Sequence, residues 1–285
     1  MQQFSSFRFA RLAILVGSII VSSAAVAADA VPQNDDLNAT LWVSNAIEYK
    51  ANTIAVYQLA KIRLDEALAD KSWSATGQTD AAGKPPAVIL DGDETVLDNG
   101  PYESWLVKSG QDYSGKTWAA WVAAKQARAV PGAVAFTQYA DSKGVKVFYV
   151  TNRSADQEAD TRANMQALGF PMGGNVDTFL MSKEQPDWTG KKGTRRDFIG
   201  KDYRVLLLFG DNYGDFSDDF GGSEAQREAS LEANMAHIGH DWLFIANPEY
   251  GSFECAPFLC DYKKSPDVRR QMKIDTLPVW TGAPQ

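Results

Sequence analysis

The residues best suited to chemistry in this 285-residue chain are carboxylates at short, regular spacing. Asp91 and Asp93 flank Gly92 and are followed by Glu94 and Thr95; Asp211 and Asp215 lie four apart behind Gly210. Between the two pairs come Thr151-Asn152-Arg153 and a run of cations, Lys183, Lys191, Lys192, Arg195 and Arg196. Acids with no His or Cys close by suit a hard cation such as Mg²⁺, which takes oxygen ligands and keeps several waters. A metal between Asp91 and Asp211 would shield a nucleophilic carboxylate from the charge of an incoming phosphate. Aspartate attack on phosphorus divides one difficult hydrolysis into two easier displacements. Asp93 is then placed to protonate the leaving oxygen and afterwards to deprotonate water. Thr151, Asn152 and a lysine would hold and neutralise the transferring oxygens. A bare Asp-x-Asp is as readily a turn, so the surrounding elements must decide.

Ala87 to Leu90 is a short apolar run between Lys84-Pro85-Pro86 and Gly92, the pattern of a fully buried, parallel-type strand ending at Asp91. Similar runs cover 145–151, ending in Thr151, and 204–210, ending in Asp211; shorter ones cover 178–181 and 241–246. Helical spacing marks 38–70 (one long helix or two), 132–142 and 155–168. Strands alternating with helices imply an α/β fold with a doubly wound parallel sheet. Ligands of such sheets bind at the carboxyl edge, where Asp91, Thr151 and Asp211 all fall. The stretch 98–130 holds Tyr102, Trp105, Tyr113, Trp118 and Trp121 and reads as an insertion after the first strand rather than a plain crossover.

Residues 1–27 read as a cleavable export signal. Arg8 and Arg11 provide the charged start, Leu12 to Val21 the apolar core and Ala25-Val26-Ala27 the cleavage site. The apolar run is short for a membrane span, and no cysteine near the cut is available for a lipid anchor. The expectation is a periplasmic or secreted protein with no stable membrane anchor, folded as one domain over 28–285. A formal charge of −8 argues against a nucleic acid polymer as partner. It does not argue against a small anionic substrate. Cys255 and Cys260, the only cysteines, form either a short-loop disulfide or two free thiols. His237 and His240 are spaced to share a helical face, and a surface helix is the simpler reading because no third metal ligand is evident. The oligomeric state stays open, a homo-oligomer included.

The four clusters together resemble the haloacid dehalogenase (HAD) superfamily of phosphohydrolases, with motifs at Asp91-Gly92-Asp93-Glu94-Thr95, Thr151-Asn152-Arg153, a lysine, and Gly210 to Asp215. The similarity is closer to the exported class C, DDDD-type acid phosphatases and 5′-nucleotidases. It extends from about Tyr49 to Tyr250 and includes Trp118 and Trp121, Pro131-Gly132-Ala133 and Phe148 to Arg153. The resemblance implies a Rossmann-like HAD sheet with a helical cap formed by about 37–70 and 98–130. It implies Asp91 as nucleophile and Asp93 as acid/base. Mg²⁺ would be held by Asp91, the Asp93 carbonyl and Asp211, with Asp215 acting through a coordinated water. Counting back from Asp211 points to Lys192 as the third motif, with Lys191 and Lys183 as alternatives. Gly92 stands where the family usually has an apolar residue, which would loosen the turn.

The implied activity is hydrolysis of small phosphomonoesters, nucleoside 5′-monophosphates among them. Phosphotransfer to an alcohol and non-catalytic binding on the same scaffold are the rivals, and retention of both Asp91 and Asp93 argues against a mere binder. Trp118 and Trp121, three apart, are accounted for by packing within the insertion. Tyr250 or Tyr102 is the candidate for stacking on a base or aryl leaving group, and the resemblance favours Tyr250.

Overall fold

A computed structural model describes residues 34–280 and residue 282; the expected signal at 1–27 lies outside them. The elements run α1 (Leu37–Asn45), α2 (Ile47–Ala69), β1 (Pro86–Leu90), β2 (Leu97–Asp98), α3 (Gly100–Ser109), α4 (Gly115–Ala124), β3 (Arg128–Ala129), α5 (Ala133–Ser142) and β4 (Lys146–Ser154). They continue with α6 (Glu158–Leu168), β5 (Phe179–Ser182), α7 (Gly193–Asp202), β6 (Arg204–Gly210), α8 (Glu224–Ala233), β7 (Trp242–Phe244), α9 (Ser252–Cys255) and α10 (Pro266–Asp275). Five strands form one parallel sheet in the order β5-β4-β1-β6-β7, and β2 and β3 make a separate antiparallel pair. The chain steps outward from β1 in one direction, then returns to β6 on its other side. The strand order therefore reverses between β1 and β6, where the connections diverge and leave a crevice.

Both faces of the sheet are covered, which is why its central strands are apolar throughout. Val88 and Leu90 of β1, Tyr149 of β4 and Phe209 of β6 pack with Tyr57 and Leu64 of α2 and Phe136 of α5. On the opposite face Ala87, Ile89, Phe148 and Leu208 pack with Ile199 of α7, Trp188 and Phe216. Gly132 opens α5 at φ +96°, and a Cβ there would lie 2.9 Å from the Tyr57 ring, so this turn requires glycine.

Several boundaries and roles differ from the sequence expectation. The 38–70 stretch is two helices, parted at an extended Ala46 (ψ 130°) with no proline or glycine there; α1 turns off to pack against α3. Most of the expected N-terminal cap segment is α2, which packs on the sheet through Tyr57 and Leu64. The helix expected from Ala155 begins at Glu158, after a 3₁₀ turn in which Ser154 and Gln157 cap one another. His237 and His240 lie in turns beyond α8, not on a helix: the His237 ring stacks on Trp242 and meets Asp241 at 2.7 Å, while His240 stacks on Trp73. Cys255 and Cys260 are joined as a disulfide that closes the loop between α9 and α10.

One buried hydrogen bond ties the α2 layer to the turn after β1. Tyr57, 1 % exposed, donates its hydroxyl to the Thr95 carbonyl at 2.6 Å. Tyr57→Phe keeps the ring packing and orphans that carbonyl, so unfolding stability should fall by about 1–3 kcal/mol. Thermal melting should register a drop of about 2–4 °C per kcal/mol. An unchanged melting temperature would mean that water satisfies Thr95.

Candidate active site

Each strand-end residue is placed by the element that precedes it. β1 delivers Asp91, whose N–H continues the ladder by donating to the Phe209 carbonyl at 3.0 Å. β6 delivers Asp211, and the following turn, capped reciprocally by Asn212 and Asp215, brings Asp215 back over the strand end. Gly210 makes this return possible, because a Cβ on it would collide with the Asp215 side chain. The carboxylates of Asp91, Asp211 and Asp215 each place an oxygen within 4.8 Å of the others.

Lys192, at the start of α7, puts its ammonium between two of them, paired with Asp91 and 2.7 Å from Asp215 Oδ1. It is 4 % exposed, whereas Lys183 and Lys191 are on the surface, so of the three candidate lysines Lys192 alone reaches the crevice. Asp211 accepts hydrogen bonds from Thr95 Oγ1 (3.1 Å) and Asn247 Nδ2 (2.9 Å). Asp91, Asp93, Asn152, Lys192, Asp211, Asn212, Asp215, Phe220 and Tyr250 line a cleft of about 170 Å³. A larger groove of about 570 Å³, between α8 and the α10 segment, holds none of the strand-end acids.

The second strand end is less direct than expected. Thr151 is 1 % exposed, and its hydroxyl accepts the Arg153 N–H at 3.1 Å. A Cβ at position 92 would stand 2.8 Å from that hydroxyl, so Gly92 does not loosen the turn: it makes the space into which Thr151 packs. Asn152 reaches the cleft with its amide already engaged, accepting from Arg195 Nη2 (2.7 Å) and donating to the Gly190 carbonyl (3.0 Å). Arg195, fully buried, also donates to the Thr151 carbonyl at 2.6 Å, locking α7 to β4.

Asp93 points elsewhere. Its carboxyl is not in the three-acid group but meets Arg153 at 2.7 Å and Asn99 at 2.9 Å. Sequence reading gave Arg153 a structural role only and did not single out Asn99, Asn247 or Phe220. An Arg two residues after Thr151, at the end of an apolar run, is the one signal that was available. Tyr102, the other stacking candidate, is 3 % exposed and packed among Trp105, Trp118 and Trp121, with its hydroxyl hydrogen-bonded to Thr117. It is a packing residue; Tyr250 is the tyrosine at the cleft.

The electrostatics show what the site lacks. Burial pushes Asp211 up to about 7, the Asp215 charge adds to this, and hydrogen bonds from Asn247 and the Lys192 charge offset only part. Burial also lifts Asp91 well above the carboxylate range against the pull of Lys192, and Asp215, Asp211 and Asp93 act in the same direction. Burial alone would lower Lys192; Asp215 and Asp91 outweigh it and hold the ammonium above its ordinary value. Three carboxylates against one ammonium leave two negative charges in excess, the charge of one divalent ion. An all-oxygen donor set matches a hard cation. The residues fit a divalent metal.

A family model for the HAD superfamily, subfamily IIIB (acid phosphatase) matches residues 17–253. This chain belongs to that family. The class C acid phosphatase of Bacillus anthracis superposes with a TM-score of 0.76 at 33 % identity, covering 86 % of this chain and 97 % of that one. The same relative solved with tungstate bound gives 0.77 at the same identity. A stem 31 kDa glycoprotein of Glycine max is 26 % identical over 133 residues, 46 % of this chain; the chain spans about half the length of that curated relative. Both cysteines of the disulfide and α10 lie beyond the family match.

The raised acids set a pH dependence for the metal-free protein. Between pH 4 and 8 the folded state retains protons on Asp211 (about 7), Glu249 (about 8) and Glu103 (about 7), all raised chiefly by burial, that the unfolded chain has released. Folded-state pKa values above the unfolded ones make stability highest below about pH 4 for these groups, and it is lost as pH rises through the folded values. Metal-free protein should melt at lower temperature at pH 8 than at pH 5, and Mg²⁺ should raise the pH 8 value more. A metal-free melting temperature that climbs across this range would contradict the assignment.

Proposed function

We propose that this acid phosphatase is an exported, Mg²⁺-dependent phosphomonoesterase that works through an aspartyl-phosphate on Asp91 and accepts nucleoside 5′-monophosphates. The observation that carries the reading is the division of partners at the end of β1. Asp91 shares Lys192 with Asp215 inside the three-acid group, while Asp93, two residues on, is held apart by Arg153. Two carboxylates in different environments can take different roles, one as nucleophile and one as acid/base. The tungstate-bound relative supports an oxyanion site of this kind, since tungstate shares the tetrahedral shape of phosphate.

Asp91, the Asp93 carbonyl, Asp211 and, through water, Asp215 would hold the metal, which when bound neutralises the carboxylates and the phosphate oxygens. In the first half-reaction an Asp91 carboxylate oxygen attacks phosphorus, the ester P–O bond breaks, and the leaving oxygen takes the proton of Asp93. In the second, water attacks phosphorus as Asp93 removes its proton, and the bond from phosphorus to Asp91 breaks. Lys192 keeps a positive charge beside the transferring oxygens and the nucleophile. α1, α3 and α4 would serve as the cap. The leader pattern at 1–27 and the Cys255–Cys260 disulfide, a bond suited to an oxidising compartment, support export.

Asp91→Asn preserves size and removes the attacking charge. Hydrolysis should fall by at least about 10³-fold, in line with removal of a reacting group, and no phosphoenzyme should survive acid quench. Near-wild-type turnover by a folded Asp91→Asn protein would exclude the nucleophile assignment. Selectivity is tested separately. A nucleobase stacked on Tyr250 gains roughly 1–3 kcal/mol whatever its identity, so Tyr250→Ala should raise the nucleotide KM about tenfold and leave glycerol phosphate nearly unchanged. Equal effects on both substrates would reduce Tyr250 to a supporting residue.

A further inference from the structure

The side of Asp93 that faces the protein is occupied in an unusual way. Arg153 donates to its Oδ1 from Nε at 2.9 Å and from Nη2 at 2.7 Å, and Asn99 donates to the same oxygen from Nδ2 at 2.9 Å. All three bonds converge on one oxygen; none of the described residues donates to Oδ2. Asp93 lines the cleft, so its second oxygen is left for whatever enters there.

The donors are themselves fixed. Trp121 Nε1, which can only donate, lies 2.8 Å from Asn99 Oδ1, and Arg153 Nη2 meets the same atom at 3.2 Å. Asn99 Oδ1 must face these two groups, and its amide nitrogen is therefore the end turned to Asp93. Glu94 accepts the Asn99 N–H at 2.8 Å and anchors the backbone of the same residue. Arg153 donates from Nη1 to Thr161 Oγ1 at 3.2 Å and lies over the Trp118 ring. Asn99 is 0 % exposed and Arg153 3 %.

We propose that Arg153 and Asn99 are positioning residues for Asp93, saturating Oδ1 so that Oδ2 is the oxygen that gives and takes the proton. The inference rests on the reading of Asp93 as acid/base. A proton on Oδ1 would point at three N–H groups that cannot accept it, whereas a proton on Oδ2 meets no such opposition. As the ester P–O bond breaks, its electron pair goes to the leaving oxygen and the Oδ2 proton follows; in the second half-reaction the proton of the attacking water returns to Oδ2. Three bonds on Oδ1 also prevent rotation of the carboxyl, which keeps Oδ2 aimed at one place.

The test compares single-turnover release of the leaving group from glycerol phosphate, which needs protonation, and from 4-nitrophenyl phosphate, which needs little. Asp93→Asn is the reference: selective loss on the glycerol ester establishes the acid role. Equal loss on both esters overturns that role, and the positioning inference with it. Given a selective reference, Arg153→Lys should lose about 10–100-fold on glycerol phosphate, as expected for a displaced catalytic group, with KM and aryl ester release within about threefold of wild type. Trp121→Phe keeps an aromatic ring in the cluster but removes the N–H that orients Asn99 along with part of the indole, and should show the same selectivity at about 2–10-fold. Added guanidinium should restore the glycerol ester rate of Arg153→Ala. Uniform losses on both esters in Arg153→Lys and Trp121→Phe, beside a selective Asp93→Asn, would refute positioning while leaving the acid role intact. Trp121→Phe carries that decision if the Arg153 variants fail to fold.

Discussion

The structure depends on holding three carboxylates together, largely out of water, where β1 and β6 part. Asp91, Asp211 and Asp215 repel one another within 4.8 Å, and burial disfavours the charge on Asp91 and Asp211. Isolated buried charges of this kind are unfavourable by many kcal/mol unless neutralised. Lys192 answers one charge, and the hydrogen bonds from Thr95 and Asn247 to Asp211 and from the Asn212 N–H to Asp215 answer part of the rest. The surrounding fold can be understood as support for these few contacts. Arg195 fixes α7, and hence Lys192, to β4; Tyr57 fixes the Thr95 turn to α2; Gly210 lets Asp215 return over β6.

A second electrostatic centre lies beside the first and is kept apart from it. Asp93 has its own cation in Arg153, so the two acids of the β1 turn do not compete for Lys192. Their opposite orientations follow from the turn. Gly92 lets Thr151 pack against it, and Glu94 adopts φ +55°, directing its buried carboxylate back to Asn99. The glycine that departs from the usual family pattern is thus compensated by a close threonine. The volume missing at position 92 is filled from β4.

Much of this was legible in sequence because it is local. Short apolar runs ending in Asp91, Thr151 and Asp211 announced a parallel sheet with its chemistry at one edge, and the four motifs announced the family. Boundaries such as Ala46 and Ser154 were less legible because tertiary packing or a cap decides them. Counting back from Asp211 favoured Lys192 but left Lys183 and Lys191 as alternatives, since what separates them is burial, a property of where α7 starts. Arg153 and Asn99 were missed for the same reason. Their importance lies in contacts across sequence separations of 60 and 6 residues to a single carboxylate oxygen. Tyr102 misled because an aromatic in an insertion is equally compatible with packing and with stacking.

The burial of Tyr102 also changes how the inserted segment relates to substrate. Trp105, Trp118 and Trp121 surround Tyr102, and Trp121 extends from that cluster to Asn99 and so to Asp93. The aromatic cluster reaches Asp93 through Asn99, and its tyrosine, Tyr102, is not among the residues lining the cleft. Tyr250 and Phe220 enter the cleft from the β6 and β7 side, the latter on the loop after Asp215. On the proposed roles, the leaving group would be recognised from one side of the crevice and its proton donor placed from another. Residues around Tyr250 could then vary with substrate without disturbing Asp93, whereas a change at Trp121 removes a hydrogen bond that holds Asn99.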